Sequence, residues 1–162
     1  LQQDNLPTTA KGVSGLVWTK SRDETRSHAL YDSSRGAENY LASNSTGDES
    51  STPSGLHKFL KGGFQTGENA TLNNSGQSYV SWNWVANGGT TATNNDGSIT
   101  STVQANQTAG FSIVQYTGTG SNATVGHGVL FWINPFLFSK NTDRSCISEK
   151  WILYVASYGY FR

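Results

Sequence analysis

The feature that most constrains this chain is an internal repeat. Leu16-Val17-Trp18-Thr19-Lys20, Asp23, Leu30-Tyr31 and Gly36 return as Phe136-Leu137-Phe138-Ser139-Lys140, Asp143, Leu153-Tyr154 and Gly159. The offset is 120 at Lys20/Lys140 and 123 at Leu30/Leu153, so the second copy carries three extra residues between its halves. Each copy reads as a strand, a polar loop opening with Lys and Asp, and a second strand. Recurrence at fixed spacing is how repeat architectures show themselves. It points to a modular surface protein rather than an enzyme built around one site. Both copies are expected to form the same hairpin, with the extra residues absorbed in the loop at 144–150, where insertions cost little.

Composition supports short strands joined by turns. Only 35% of the 162 residues are hydrophobic and 14% charged, and Gly alone supplies 18 positions. That mixture excludes a coiled coil. Trp 5, Tyr 7 and Phe 7 argue against disorder, because disordered chains are poor in aromatics. A net charge of zero removes the electrostatic case for nucleic acid, which needs a basic patch. Cys146 is the one cysteine, so neither an intrachain disulfide nor a cysteine zinc cluster can form. That suits a protein assembled in a reducing cytoplasm and used outside the cell. The longest apolar stretch, 129–138, is broken by Asn134-Pro135 and is too short to span a bilayer, so no membrane insertion is expected. Leu1-Gln2-Gln3-Asp4 carries no signal pattern, and the absence of Met leads us to expect a piece of a longer protein or a processed product.

Alternation with period two is the main local signal. In Tyr79-Val80-Ser81-Trp82-Asn83-Trp84-Val85-Ala86 the face Val80/Trp82/Trp84 is wholly apolar, which predicts a strand with that face in a core or between modules. Residues 111–116 are apolar on both faces and predict a central strand. Residues 151–158 are similar and longer. Asn87-Gly88-Gly89, Asp96-Gly97, Thr117-Gly118-Thr119-Gly120 and Gly126-His127-Gly128 supply the turns. Only 54–60 reads as helix, stopped by Gly62-Gly63. The polar stretch 87–98 reads as a linker between a first part, 1–86, and a second, 99–162.

Several strings together resemble a known family. Leu16-Val17-Trp18-Thr19-Lys20-Ser21-Arg22-Asp23, Asp32-Ser33-Ser34-Arg35-Gly36, Tyr40-Leu41-Ala42-Ser43-Asn44 and Tyr79-Val80-Ser81-Trp82-Asn83-Trp84 carry the resemblance in the first half. Asp96-Gly97-Ser98-Ile99-Thr100-Ser101, Ala109-Gly110-Phe111-Ser112-Ile113-Val114, Tyr116-Thr117-Gly118-Thr119-Gly120 and Val125-Gly126-His127-Gly128 carry it in the second. They resemble repeated domains in tail and fibre proteins of marine bacteriophages, described as concanavalin A-like (lectin/glucanase-like) sandwiches. The resemblance implies an all-β fold, a location in the virion, other virion proteins as partners, and a homo-oligomer, with a trimer favoured. In that family a module runs from the Gly-Ser-Ile-Thr strand through the hairpin to the Trp-x-Trp strand. This chain therefore reads as the back of one module and the front of the next, split or closed on each other as a permuted sandwich.

Motifs with chemistry are few. Gly118-Thr119-Gly120-Ser121-Asn122-Ala123 matches a loose dinucleotide fingerprint, but the glycines and proline that follow forbid the helix such a loop must open. Asn94-Asn95-Asp96-Gly97 resembles part of a calcium loop whose end positions, Ala92 and Val103, cannot ligate. Glycan hydrolysis needs two carboxylates flanking one bond. The 11 acids are scattered, and Glu38 and Glu149 read as surface residues. His127, between two glycines, reads as a backbone-bonding turn residue before it reads as a general base. Five Asn-x-Ser/Thr sequons, at Asn44, Asn69, Asn73, Asn106 and Asn122, fit chance in so polar a chain.

The expectation is an all-β antiparallel sandwich of jelly-roll or concanavalin A-like form, without metal or cofactor. Its expected role is a non-catalytic structural or adhesin module of a phage tail or fibre, binding host-surface glycan through Trp132, Trp151 and His127. The alternatives are a glucanase-like hydrolase and a purely architectural virion connector or decoration protein. Because 151–158 is apolar and near the end of the second part, it is expected to insert beside 16–20 or 79–86, or to pack on a neighbouring chain.

Overall fold

The computed structural model describes residues 15–130, 136–141 and 150–156, the last two stretches through their backbone pairing. The chain is all-β, and no helix occurs among the described residues. It divides into two compact units, one ending at Gly89 and the other starting at Thr90. The stretch read as linker spans this division, and part of it is strand.

The first unit begins as a meander. β1 (Gly15–Ser21), β2 (Ala29–Asp32), β3 (Asn39–Ala42) and β4 (Ser50–Ser51) pair in succession, all antiparallel. A hairpin of β5 (Leu56–Leu60) and β6 (Gly63–Thr66) follows, and β7 (Tyr79–Val85) then returns to the open side of β1. The five-stranded order is β4-β3-β2-β1-β7, with β5-β6 a separate two-stranded sheet. Alternation along β1 and β2 sends Val17, Ala29 and Tyr31 to one face, where they meet Leu56, Phe59 and Leu72. These two layers enclose the core. Burying a side chain such as Leu56 stabilises by about 2 kcal/mol.

The helix expected over 54–60 is not formed. Leu56 and Phe59 do share one face, at a helical spacing, but they reach it as strand residues. A register shift between Leu56 and Lys58 inserts a bulge, which lets positions three apart point the same way.

The second unit is built on β8 (Ala92–Asn94), β9 (Ser101–Asn106), β10 (Phe111–Thr117), β11 (Phe136–Asn141) and β12 (Lys150–Ala156). Their order is β11-β12-β10-β9-β8, antiparallel throughout. β10 lies at the centre, and Phe111, Ser112, Ile113 and Val114 are all buried, as the two-sided apolar pattern requires. The strings around Gly97 and Gly126 meet in a clasp. Ser98 N donates to Thr124 Oγ1 and Thr124 N to Ser98 Oγ, both at 2.9 Å, beside a parallel bridge between Ile99 and Val125. A Cβ on Gly97 would lie 2.3 Å from the Thr124 carbonyl oxygen, so only glycine allows that approach.

Both copies of the repeat form antiparallel hairpins, β1–β2 and β11–β12. Their registers differ by one residue. Trp18 faces Leu30, twelve positions on, whereas Phe138 faces Tyr154, sixteen positions on. The second hairpin thus absorbs four extra residues between paired positions, not the three of the sequence alignment. Because side chains alternate, that single step exchanges the faces of the second strand. The placement expected for 151–158 is also corrected: β12 pairs with β10 on one side and β11 on the other, not with β1 or β7. Its edges are filled within its own sheet, so the argument for self-association from this strand falls.

Candidate functional site

Antiparallel pairing places four side chains in one row across the first sheet. Trp82 on β7 faces Trp18 on β1, Trp18 faces Leu30 on β2, and Leu30 faces Leu41 on β3. Burial falls along the row. Leu30 and Leu41 are buried, Trp18 is half-buried, and Trp82 is 43% exposed. Of the expectation that the Val80/Trp82/Trp84 face lies in a core or between modules, the core reading is therefore corrected at Trp82. β7 ends the sheet order, and its indole stands open to solvent.

The exposed ring is braced. The Trp18 and Trp82 ring centroids lie 5.6 Å apart at 58°. On the other side of Trp18, His28 lies edge-on at 5.7 Å, and Trp18 Nε1 donates to His28 Nδ1 at 3.0 Å. The His28 amide in turn donates to Asn44 Oδ1 at 2.9 Å. Satisfying the buried side of Trp18 fixes its indole, and an aromatic pair of this geometry adds about 1 kcal/mol beyond its buried area. Trp82 thus offers an apolar surface to solvent with one side of its ring against the fixed Trp18 indole.

A groove of about 320 Å³ lies in the same unit, where the Gly15 end of β1 and the Val85 end of β7 meet the β5–β6 turn. Phe59, Leu60, Phe64, Trp84 and Val85 give it apolar walls, and Asn83 brings an amide. Ser81 Oγ donates to Asn83 Oδ1 at 3.2 Å. Val85 is 47% exposed. Among the described residues no carboxylate lines this groove, nor a second one formed by Ile99, Tyr116 and the loop 118–125. Among the described residues no cluster of His, Cys, Asp or Glu could hold a metal ion. No helix among them is long and apolar enough to cross a membrane.

The repeat's polar residues organise loops. Lys20 Nζ donates to the carbonyls of Ser21 (2.5 Å) and Glu24 (2.9 Å). Asp23 accepts from the Ser78 amide just before β7, and that bond is the chief reason its carboxyl is held below the usual carboxylate range. Two residues past Leu30 on the same strand, Asp32 forms a buried pair with Arg35 at 2.5 Å, while Arg35 also reaches Glu49 at 3.2 Å and the Leu30 carbonyl at 2.8 Å. Glu38 has φ +71°, uncommon for a residue with a Cβ. Its amide donates to the Leu56 carbonyl and its own carbonyl accepts from Thr52, so it acts as a corner between β3 and β5. Burial pushes the Tyr31 phenol well above its ordinary pKa, with Tyr40 adding to the effect. It stays a neutral core residue.

Of the residues expected to bind ligand, His127 lies between Gly126 and Gly128, where Nδ1 accepts from the Val129 amide at 3.2 Å, and it lines neither groove. Trp132 lies outside the described residues. Trp151 is placed by its backbone in β12, opposite Tyr116 and Asn141. Glu149 and Cys146 also lie outside. Among the described residues, the tryptophan side chains that do come together are Trp18 and Trp82. Period-two alternation puts Trp82 and Trp84 on one face of their strand, but only the sheet order reveals that the strand is terminal.

No curated protein and no solved structure matches the chain. A family model spans almost all of it, covering residues 5–160. The chain belongs to the family described as a domain of unknown function, DUF7483.

Proposed function

We propose that this chain is a non-catalytic binding module of a virion tail or fibre, which holds a host-surface glycan against the open face of Trp82. The observation that carries the binding role is the braced, 43% exposed indole on a terminal strand. The apolar face of a pyranose stacks on such a ring, and polar groups nearby fix its orientation. The location, the virion partners and a trimeric assembly rest on the resemblance of the strings quoted above to phage tail and fibre domains. Against the hydrolase alternative stands the lining of the two grooves, which among the described residues includes no carboxylate, since bond cleavage needs an acid and a second carboxylate across the glycosidic bond.

The test is titration of the chain with a panel of bacterial surface oligosaccharides, followed by Trp82→Ala. The expected outcome is saturable binding to a subset of the panel, weakened about tenfold in Trp82→Ala, in line with roughly 1.4 kcal/mol for a lost aromatic contact. Binding unchanged by Trp82→Ala, or no binding across the panel, overturns this reading. Release of reducing ends would favour the hydrolase. The connector reading draws on a different observation, the exposure of Val85 at 47% and Leu130 at 84%. It predicts association with other virion proteins that Leu130→Ser weakens and Trp82→Ala does not.

A further inference from the structure

We infer that β11 is a docking edge that accepts a strand from another polypeptide, and that β7 shows the chemistry of that strand. Four strands end the two five-stranded sheets: β4 and β7 in the first, β8 and β11 in the second. β4 has two residues and β8 three, and such short edges offer little to pair with. β11 has six residues, Phe136-Leu137-Phe138-Ser139-Lys140-Asn141, with no proline and one charge, at Lys140. Of the devices that blunt edges its own sequence carries one, the charge of Lys140 near its end, and it is neither short nor interrupted by proline. Among the described residues it pairs with β12 alone.

The repeat identifies the occupant. β1 is the counterpart of β11, and in the first unit the side of β1 away from its hairpin partner is covered by β7 over seven residue pairs. The same slot beside β11 is filled by no described strand. β7, Tyr79-Val80-Ser81-Trp82-Asn83-Trp84-Val85, is uncharged and places tryptophans at the alternate positions 82 and 84. A strand of this type, running antiparallel, gains ladder hydrogen bonds from the backbone and contact from its alternate side chains. The register follows from the first unit. Val17 faces Asn83 and Thr19 faces Ser81, so Leu137 should face the position of Asn83 and Ser139 that of Ser81.

Disulfide trapping tests both the edge and the register. The full chain with Cys146→Ser and Leu137→Cys is mixed with a synthetic peptide of residues 78–86 carrying Asn83→Cys, in a mild redox buffer. A second pairing, Ser139→Cys with Ser81→Cys in the peptide, covers the case in which Leu137→Cys fails to fold, and thermal melts identify the folded variants. The expected result is that in-register pairs cross-link at least about tenfold faster than Leu137→Cys with a Trp82→Cys peptide, whose thiol points to the opposite face. Equal rates at the two peptide positions, or no cross-link in a folded variant, overturn the inference. A cross-link confined to the chain carrying Val17→Cys overturns it as well, because the peptide would then have displaced β7 from β1 instead of adding to β11.

Discussion

In the first unit the repeated hairpin lies inside its sheet, with β7 beside β1 and β3 beside β2. In the second it lies at the end, with β10 beside β12 and β11 outermost. The local pattern is shared, and the neighbours are not. A hairpin is chosen by residues close in sequence, through strand propensity and a polar loop. The neighbours that set its place in the sheet, β7 beside β1 and β10 beside β12, lie tens of residues away, and their own patterns differ between the halves. The one-residue register difference shows the same division: Val17 and Tyr31 share the core face, whereas the aligned Leu137 and Tyr154 are out of step.

The sharpest contrast lies after the second strand. The first hairpin ends in Asp32, which with Arg35 makes a buried pair, while the aligned positions in the second copy are Val155 and Tyr158. Asp32→Ala leaves the Arg35 guanidinium buried beside Leu30 without its main counter-charge, and should cost about 4 kcal/mol. Chemical denaturation measures it. A cost under about 1 kcal/mol would mean that Glu49 takes over the pairing and that the two hairpins are less different than they look.

Next in size are two cores that can be compared directly. Leu56→Ala in the first unit and Ile113→Ala in the second each remove a side chain with no exposed surface, and each should cost about 3 kcal/mol in a melting or denaturant series. Near-equal values would show that the uneven two-layer first unit is packed as tightly as the central strand of the second. Tyr31→Phe tests a smaller element of the first core. The phenol is fully buried and hydrogen-bonded to Leu56, so its loss should cost about 1 kcal/mol, with no change in the pH profile between pH 6 and 9 because the group stays neutral there.

The smallest expected effect concerns the repeat's Asp. Asp23 is held below its ordinary pKa chiefly by the Ser78 amide, so its folded form binds a proton less readily than the unfolded one. Its contribution is present above the unfolded carboxylate pKa and lost as pH falls through the lowered folded value. Asp23→Asn should flatten the acid limb of a stability-against-pH curve and leave neutral stability little changed. Making the same change at Asp143 asks whether the second copy uses its Asp in the same way. A matching flattening would extend the functional equivalence of the repeat from strands to loops.

The hairpins, the strand class and the central position of β10 were legible because each follows from residue types at spacings the backbone dictates. Phe111 to Val114 is apolar on both faces, and a strand of that kind has to be covered on both. The reading of 54–60 as helix failed for an equally local reason. Leu56 and Phe59 have helical spacing, and a bulge produces the same spacing in a strand when a partner, here β6, selects the pairing. The candidate site was less legible. The alternation of Trp82 and Trp84 with polar residues could be read, but whether their face is covered could not, because it depends on what lies beside and above β7.

Sequence alone determined that this chain forms antiparallel strands, that one hairpin occurs twice, and that Lys20 and Asp23 open a polar loop. These are consequences of propensity and of alternation with period two, which act over a few residues. Tertiary structure decided which strands became edges, which tryptophan stayed open and which register each hairpin took. Those outcomes depend on pairings across tens of residues, where a single-residue step exchanges every side chain between faces, and no local pattern fixes that step by itself.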